Sequence, residues 1–209
     1  RNAGRDATTA SGSTFLGQGA GREITTGNNN IAIGQNAMHD GVTTGDNNIA
    51  IGELAGDALT SGYSNQLIGE DAGTALTTGA FNVALGRNAL ATATNTSNVV
   101  SIGIGAGDAI NSADANGTIA IGYFAASELT SGQGNVAIGS SALLYENDGD
   151  FNTAIGYEAL KDQTGVSGTV ANTAVGYLAG TNITTGIKNT ILGAYAGYTS
   201  LLVDNTVLL

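Results

Sequence analysis

Asn152-Thr153-Ala154-Ile155-Gly156 recurs along the whole chain with conservative changes, and that recurrence decides the fold. With its glycine as anchor, the unit returns at Gly17, Gly34, Gly52, Gly69, Gly86, Gly103, Gly122, Gly139, Gly156, Gly176 and Gly193. Seven of the ten gaps are 17 residues; those ending at Gly52, Gly122 and Gly176 are 18, 19 and 20. The residue before the anchor is always aliphatic, from Leu16 to Leu192, and the third residue after it is always alanine, from Ala20 to Ala196. Self-similarity at a fixed short period marks a repeat array, in which each unit buries its apolar face only by stacking on its neighbours.

Within a unit the alternation is that of a strand. Val, Ile or Thr at −3 and an aliphatic residue at −1 share one face, and the glycine ends the run. A second short strand is expected at about +3 to +8. A Thr-Thr-Gly or Thr-Ser-Gly turn follows, as at Thr43-Thr44-Gly45 and Thr60-Ser61-Gly62. Glycine at −7 (Gly27, Gly45, Gly62, Gly79, Gly132, Gly149, Gly186) suits a turn that needs positive φ. The fold class is therefore all-β: a β-solenoid, or parallel β-roll, of about eleven 17-residue coils stacked about 4.8 Å apart. Residues 1–12 read as a lead-in or N-terminal cap. Residues 13–209 read as the array, ending in the half repeat Asn205-Thr206-Val207-Leu208-Leu209, which has no glycine.

Composition agrees. Charged residues are 11% of the 209 and glycines number 33, yet 42% of the chain is hydrophobic and in register, which favours an ordered seam over a disordered linker. A net charge of −11 argues against nucleic acid or an anionic membrane surface as partner. There is no cysteine for disulfides or thiolate metal sites, and no apolar run long enough to insert into a membrane. The opening Arg1-Asn2-Ala3 reads as a mature product or a fragment, so targeting is not legible.

Two columns stand out. Asparagine at −4 (Asn30, Asn48, Asn65, Asn82, Asn135, Asn152, Asn172, Asn189) is expected to form an amide ladder that fixes register. Alanine at −2 (Ala32, Ala50, Ala84, Ala120, Ala137, Ala154, Ala174) points outward if −3 and −1 point inward. Small residues repeated along an outer sheet face then predict packing against other copies of the chain, in parallel. The alternative is a flattened coil with both faces internal.

Asn152–Leu160 (NTAIGYEAL) and Asn172–Ala179 (NTAVGYLA) resemble the N-T-A-I-G-Y-x-A-L repeats of phage tail-fibre and bacterial surface proteins. The unit is also similar to the S-V-A-I-G-x-x-A head repeats of trimeric autotransporter adhesins, although those have a shorter period. The resemblance covers residues 13–209. It implies a β-roll chain assembled as a parallel homotrimer, in an extracellular, cell-surface or virion-attached fibre.

Chemistry is sparse. His39, the one histidine, has no catalytic motif around it and reads as a solvated loop residue. Glu53 and Glu70 share the +1 position on successive coils, followed by Arg87, and read as water-exposed. A glycosidase would need a cleft built by long insertions, and the largest excess is three residues. Gly103-Ile104-Gly105-Ala106-Gly107 sits in repeat register without a lysine or helix pattern, so it is no phosphate loop. No enzyme activity, metal or cofactor is expected. The variable +1 and +2 positions carry Tyr123, Phe124, Tyr157, Tyr177 and Tyr195, the candidate contact for a cell-surface glycan or protein receptor. An aromatic ladder stiffening the rod is the plainer reading of the same rings. The function expected is a structural and adhesive fibre segment. The alternatives are a self-polymerising extracellular filament subunit and an ice-binding solenoid using its Thr pairs.

Overall fold

The structure is a computed structural model that describes residues 2–164, 166–199 and 204–209; Arg1 of the lead-in and Gly165 lie outside them. It is a parallel β-solenoid of about eleven turns. Twelve short strands, from Thr14–Leu16 through Thr153–Ile155 to Val207–Leu208, form one sheet in chain order. Register is kept throughout: Ala120 pairs with Ala137, Ala137 with Ala154, and Ala154 with Ala174 across the 20-residue coil. Extra residues are therefore absorbed outside the sheet. The 19-residue coil uses them in a 3-10 turn, Ala113–Ala115, capped by Ser112. The 20-residue coil carries its extra residues between Gln163 and Asn172 in the sequence. Among the described residues no second strand of this length follows the anchor; that arc is a run of turns whose amides bond the next coil, as Gly56 N–H does to Ala72 O at 3.0 Å. Residues 4–12 stack on the first coil in the same way, with Gly4 N–H bonding Ala20 O at 2.9 Å.

The facing of the strands is the reverse of the sequence expectation. Every −2 alanine (Ala32, Ala50, Ala84, Ala120, Ala137, Ala154, Ala174) is fully buried inside its own coil, so these residues are not an interchain surface. The −3 and −1 aliphatics lie on the outer face, half-buried or exposed. The reason is volume. A 17-residue coil encloses little space, and the inward positions −4, −2 and +3 take Asn, Ala and Ala. In most coils one large side chain fills the rest, supplied from +4 or +7: Met38 with Gly41, Gly56 with Leu59, Gly73 with Leu76, Leu90 with Ala93, Gly180 with Ile183. Two coils instead add a polar residue at +7, Glu146 beside Leu143 and Gln163 beside Leu160. Where −2 is Leu67 or Ile191, the flanking +4 residues are glycine. A Cβ on Gly56 or Gly73 would come within 2.8 or 2.7 Å of the Leu67 side chain. Close packing at fixed volume thus selects alanine for the inside and leaves the larger Ile and Val outside.

The asparagines form a hydrogen-bonded ladder. Asn48 Oδ1 accepts from the Asn65 backbone N–H (3.1 Å) and side-chain amide (3.0 Å), and Asn65 Nδ2 also donates to Gly79 O at 2.9 Å. The backbone N–H to Oδ1 bond repeats from Asn30 to Asn82 and from Asn135 to Asn189, with the amide-to-amide bond added from Asn30 to Asn82, and the run is broken where −4 is Val99 and Thr118. A second column stands at −6, where mixed residue types hide it in the sequence: Asn28, Asp46, Asn116 and Asp150 each accept a backbone N–H from the coil before. The −7 glycines also differ from expectation. Gly45 and Gly62 do not have positive φ; they are glycine because a Cβ would meet the next coil's carbonyl at 1.8 and 2.5 Å. Positive φ falls instead at −5 and +2, on residues such as Asn47, Phe81, Leu54 and Leu178.

Asn65→Ala removes four buried hydrogen bonds and strands the Gly79 carbonyl and Asn82 N–H. A loss of about 3 kcal/mol is expected, read as a lower urea midpoint at unchanged slope.

Candidate functional site

Four surfaces qualify by chemistry. The first is the outer sheet face. Ile31, Ile33, Ile49, Ile51, Ile119, Ile121, Val136 and Ile138 form two adjacent columns with water on their outer side. Leu16, Leu85 and Leu192 in the −1 column are 65, 44 and 53% exposed. The stripe runs the length of the sheet, roughly 50 Å by 10 Å and so on the order of 500 Å², at the upper end of what a monomeric protein leaves uncovered. Gln66 interrupts the −3 column, and Thr replaces the aliphatic there at Thr153, Thr173 and Thr190.

The second is the aromatic set. Tyr157 and Tyr177 follow anchors in register and stack, with ring centroids 5.4 Å apart at 17°. Tyr195 sits one position later in its coil and meets Tyr177 edge-on at 5.3 Å and 75°; Tyr198 continues the row. Tyr123 and Phe124 form a separate edge-on pair at 4.4 Å. The structure thus groups three of the five candidate residues with Tyr198, and keeps Tyr123 and Phe124 apart. In the stacked pair each ring turns a face to its neighbour, leaving mainly edges and hydroxyls outward. A sugar ring stacks on aromatic faces, so this row is a poor platform for one.

The third is a cleft of about 490 Å³ lined by Ala113, Asp114, Asn116, Ser131, Gln133, Asp148, Asp150, Ser167 and Gly168. It crosses four successive coils, with the 3-10 turn at one end and Ser167 and Gly168 at the other. The two longest departures from the 17-residue period therefore wall one concavity. Spacings of 19 and 20 residues signal in the sequence that these two coils swell, but not that the two bulges face each other across a gap.

The fourth is the surround of His39, which is not a solvated loop residue. Its side chain is 17% exposed and lies between Arg22 and two aspartates. Arg22 Nη1 is 2.8 Å from Nε2, and a guanidinium only donates, so Nε2 accepts and the proton sits on Nδ1. Nδ1 then donates to Asp40 Oδ1 at 2.5 Å, with Asp57 Oδ1 at 3.9 Å. Burial, then the Asp40 charge, raises the Asp57 carboxyl above its ordinary range. One ligand atom from each of His39, Asp40 and Asp57 lies within 4.8 Å of the others, the spacing of a cation site. A metal on Nδ1 would put the ring proton on Nε2, facing the Arg22 donor. As arranged, the donor set opposes a metal rather than holding one.

One buried acid stands apart. Glu146 takes the +7 place beside Leu143, with Oε1 accepting from the N–H groups of Asn147 (2.9 Å), Asp148 (3.3 Å) and Gly149 (2.9 Å). Its Oε2 is buried and unpartnered, as is the Asn152 amide Nδ2. One coil on, the equivalent Gln163 accepts from Asn172 Nδ2 at 2.6 Å. Burial raises the Glu146 carboxyl, opposed in part by the three backbone donors. A carboxyl raised on folding contributes stability fully below its unfolded value of about 4.3 and loses it as pH climbs through the raised value. Glu146→Gln is therefore expected to melt higher than wild type at pH 7, with the two curves converging toward pH 4.

One column of threonine hydroxyls is engaged. Thr43, Thr60 and Thr77 Oγ1 donate to the next coil's carbonyls at 2.7, 3.0 and 2.8 Å. Among the described residues no helix is long and apolar enough to cross a membrane. No protein-family model matches the chain, and neither a curated protein nor a solved structure matches it.

Proposed function

We propose that the chain is a non-enzymatic structural and adhesive segment of an extracellular fibre, on a cell or virion surface, built as a parallel homotrimer. The observation that carries this is the outer Ile/Val face. An apolar stripe unbroken in its −1 column, on one side of a rigid rod, has few occupants that match its length and period, and a second and third copy of the same rod match both. Three such faces meeting around an axis bury their aliphatics as the interior of one chain buries its alanines. The interface is therefore assigned to −3 and −1. The fibre resemblance of Asn152–Leu160 points the same way.

Adhesion is assigned to the variable surface that remains, where the cleft between Asp114 and Gly168 is the concave place for a glycan or protein segment. The acidic lining and the net charge of −11 disfavour anionic sugars and nucleic acid. The ice-binding reading needs a long exposed hydroxyl rank; the hydroxyls at Thr43, Thr60 and Thr77 are engaged with the next coil, and the exposed rank beside them, Thr26, Thr44, Ser61 and Thr78, ends at Asn95. Light scattering of the purified chain tests the assembly. A mass near three times 20.6 kDa supports it, a monomer at micromolar concentration sinks it, and an open-ended distribution favours the filament.

A further inference from the structure

We propose that Tyr157 and Tyr177 are an oxidative cross-linking site, where a haem peroxidase using hydrogen peroxide joins the two phenol rings of one chain into a dityrosine. The pair is intrachain, so the inference stands apart from the fibre reading. It starts from register. Ile155 and Val175 are strand partners, and Gly156 and Gly176 follow, so the two tyrosines leave the backbone at equivalent points one coil apart. Their rings lie nearly parallel at 17° with centroids 5.4 Å apart, which holds the ring carbons ortho to each hydroxyl near one another. Both side chains are 46% exposed, open to an oxidant and free to turn.

The proton has somewhere to go. Glu158 follows Tyr157 directly, and its carboxylate is near enough to raise the phenol above its ordinary range, so a base stands by to take the proton as an electron leaves the ring. Each phenol gives up one electron and one proton. The two radicals couple through their ortho (Cε) carbons in a new C–C bond, and the hydrogen on each of those carbons moves to the ring oxygen. The pair has then lost two electrons and two protons, which reduce one hydrogen peroxide to two waters. Holding both reactants in one geometry makes the coupling effectively unimolecular and favours it over collision between chains.

The position suits a staple. The chain has no cysteine, so no disulfide can tie one coil to the next. The step from Tyr157 to Tyr177 spans the 20-residue coil, where the asparagine ladder leaves Asn152 Nδ2 without a partner. The next contact in the row, Tyr177 to Tyr195, is edge-on at 75° and out of register, so coupling is not expected there.

The test treats the full chain briefly with haem peroxidase and hydrogen peroxide, then reads dityrosine fluorescence and maps the link by mass spectrometry of digests. The expected product joins the Tyr157 and Tyr177 peptides with the loss of two hydrogens and keeps the mobility of a single chain on a denaturing gel. Tyr157→Phe and Tyr177→Phe should each lower the yield roughly tenfold, while Tyr195→Phe leaves it unchanged. Neither phenylalanine removes ring packing, so melting points close to wild type verify folding. Links mainly between chains, a dominant 177–195 product, or full yield from Tyr157→Phe would overturn the assignment.

Discussion

Alanine in place of Gly122 is expected to cost about 4 kcal/mol of stability. Two terms combine. The backbone there has φ +139°, a region that L side chains rarely adopt, and a Cβ would lie 2.4 Å from Gly139 O and 2.6 Å from its carbon. Neither contact is with a flexible side-chain tip, so relief requires the coils to part. Parting them strains Gly122 N–H to Ile102 O (2.7 Å) and Gly139 N–H to Ile121 O (2.8 Å), which tie this corner to both neighbours. Gly117 supplies the control. It has φ +79° but nothing within 4 Å of where a Cβ would stand, so Gly117→Ala carries conformational strain alone, about 1 kcal/mol. Urea midpoints of the two variants separate strain from stacking. Equal losses would mean that the anchor column is glycine for its dihedral angles and not for the approach of successive coils. In a stacked array each coil is stabilised by its neighbours, so the damage at Gly122 should reach adjacent coils in hydrogen exchange.

The anchor column was legible because nothing but glycine satisfies a requirement imposed eleven times. The asparagine ladder was legible for a related reason: a buried amide at fixed spacing is intelligible only if it bonds its own copies. The facing of the strand was not. Ile155 is more apolar than Ala154, and hydrophobicity alone would send it inward. In a coil this narrow, size decides instead, and Ala154 fits where Ile155 does not. The reciprocal pairs hold the missing information, since Leu90 with Ala93 and Gly180 with Ile183 place the one large interior side chain away from the strand. The setting of His39 is hidden because its partners come from the coil before it, through Arg22, and the coil after it, through Asp57. Local sequence holds only Asp40. The tyrosine row is visible in sequence as a cluster but not as a stacked pair beside an edge-on pair, which turns on Tyr195 standing one place later than Tyr157 and Tyr177.

Lysine in place of both Ile102 and Ile138 is expected to reduce a three-chain particle to single folded chains. Both side chains project from the outer face at −1, two coils apart and therefore about 10 Å, far enough for salt to screen one ammonium from the other within a chain. In the single rod these positions are partly open to water, so the charged heads remain hydrated and the coils keep their interior. In the trimer six ammonium groups would be forced into an apolar contact with no carboxylate at −3 or −1 to receive them, at several kcal/mol per group. Ala137→Leu probes the opposite face. It adds volume where Leu129 and Leu143 already fill the adjoining interior, so a loss of about 2 kcal/mol is expected, with no change in mass while the protein stays folded. The pair of experiments assigns each face independently. A double lysine variant that keeps the three-chain mass, beside an Ala137→Leu that dissociates, would place the interface back on the alanines. Monomeric lysine variants with an intact circular dichroism spectrum would instead leave the Ile/Val stripe as what joins the chains.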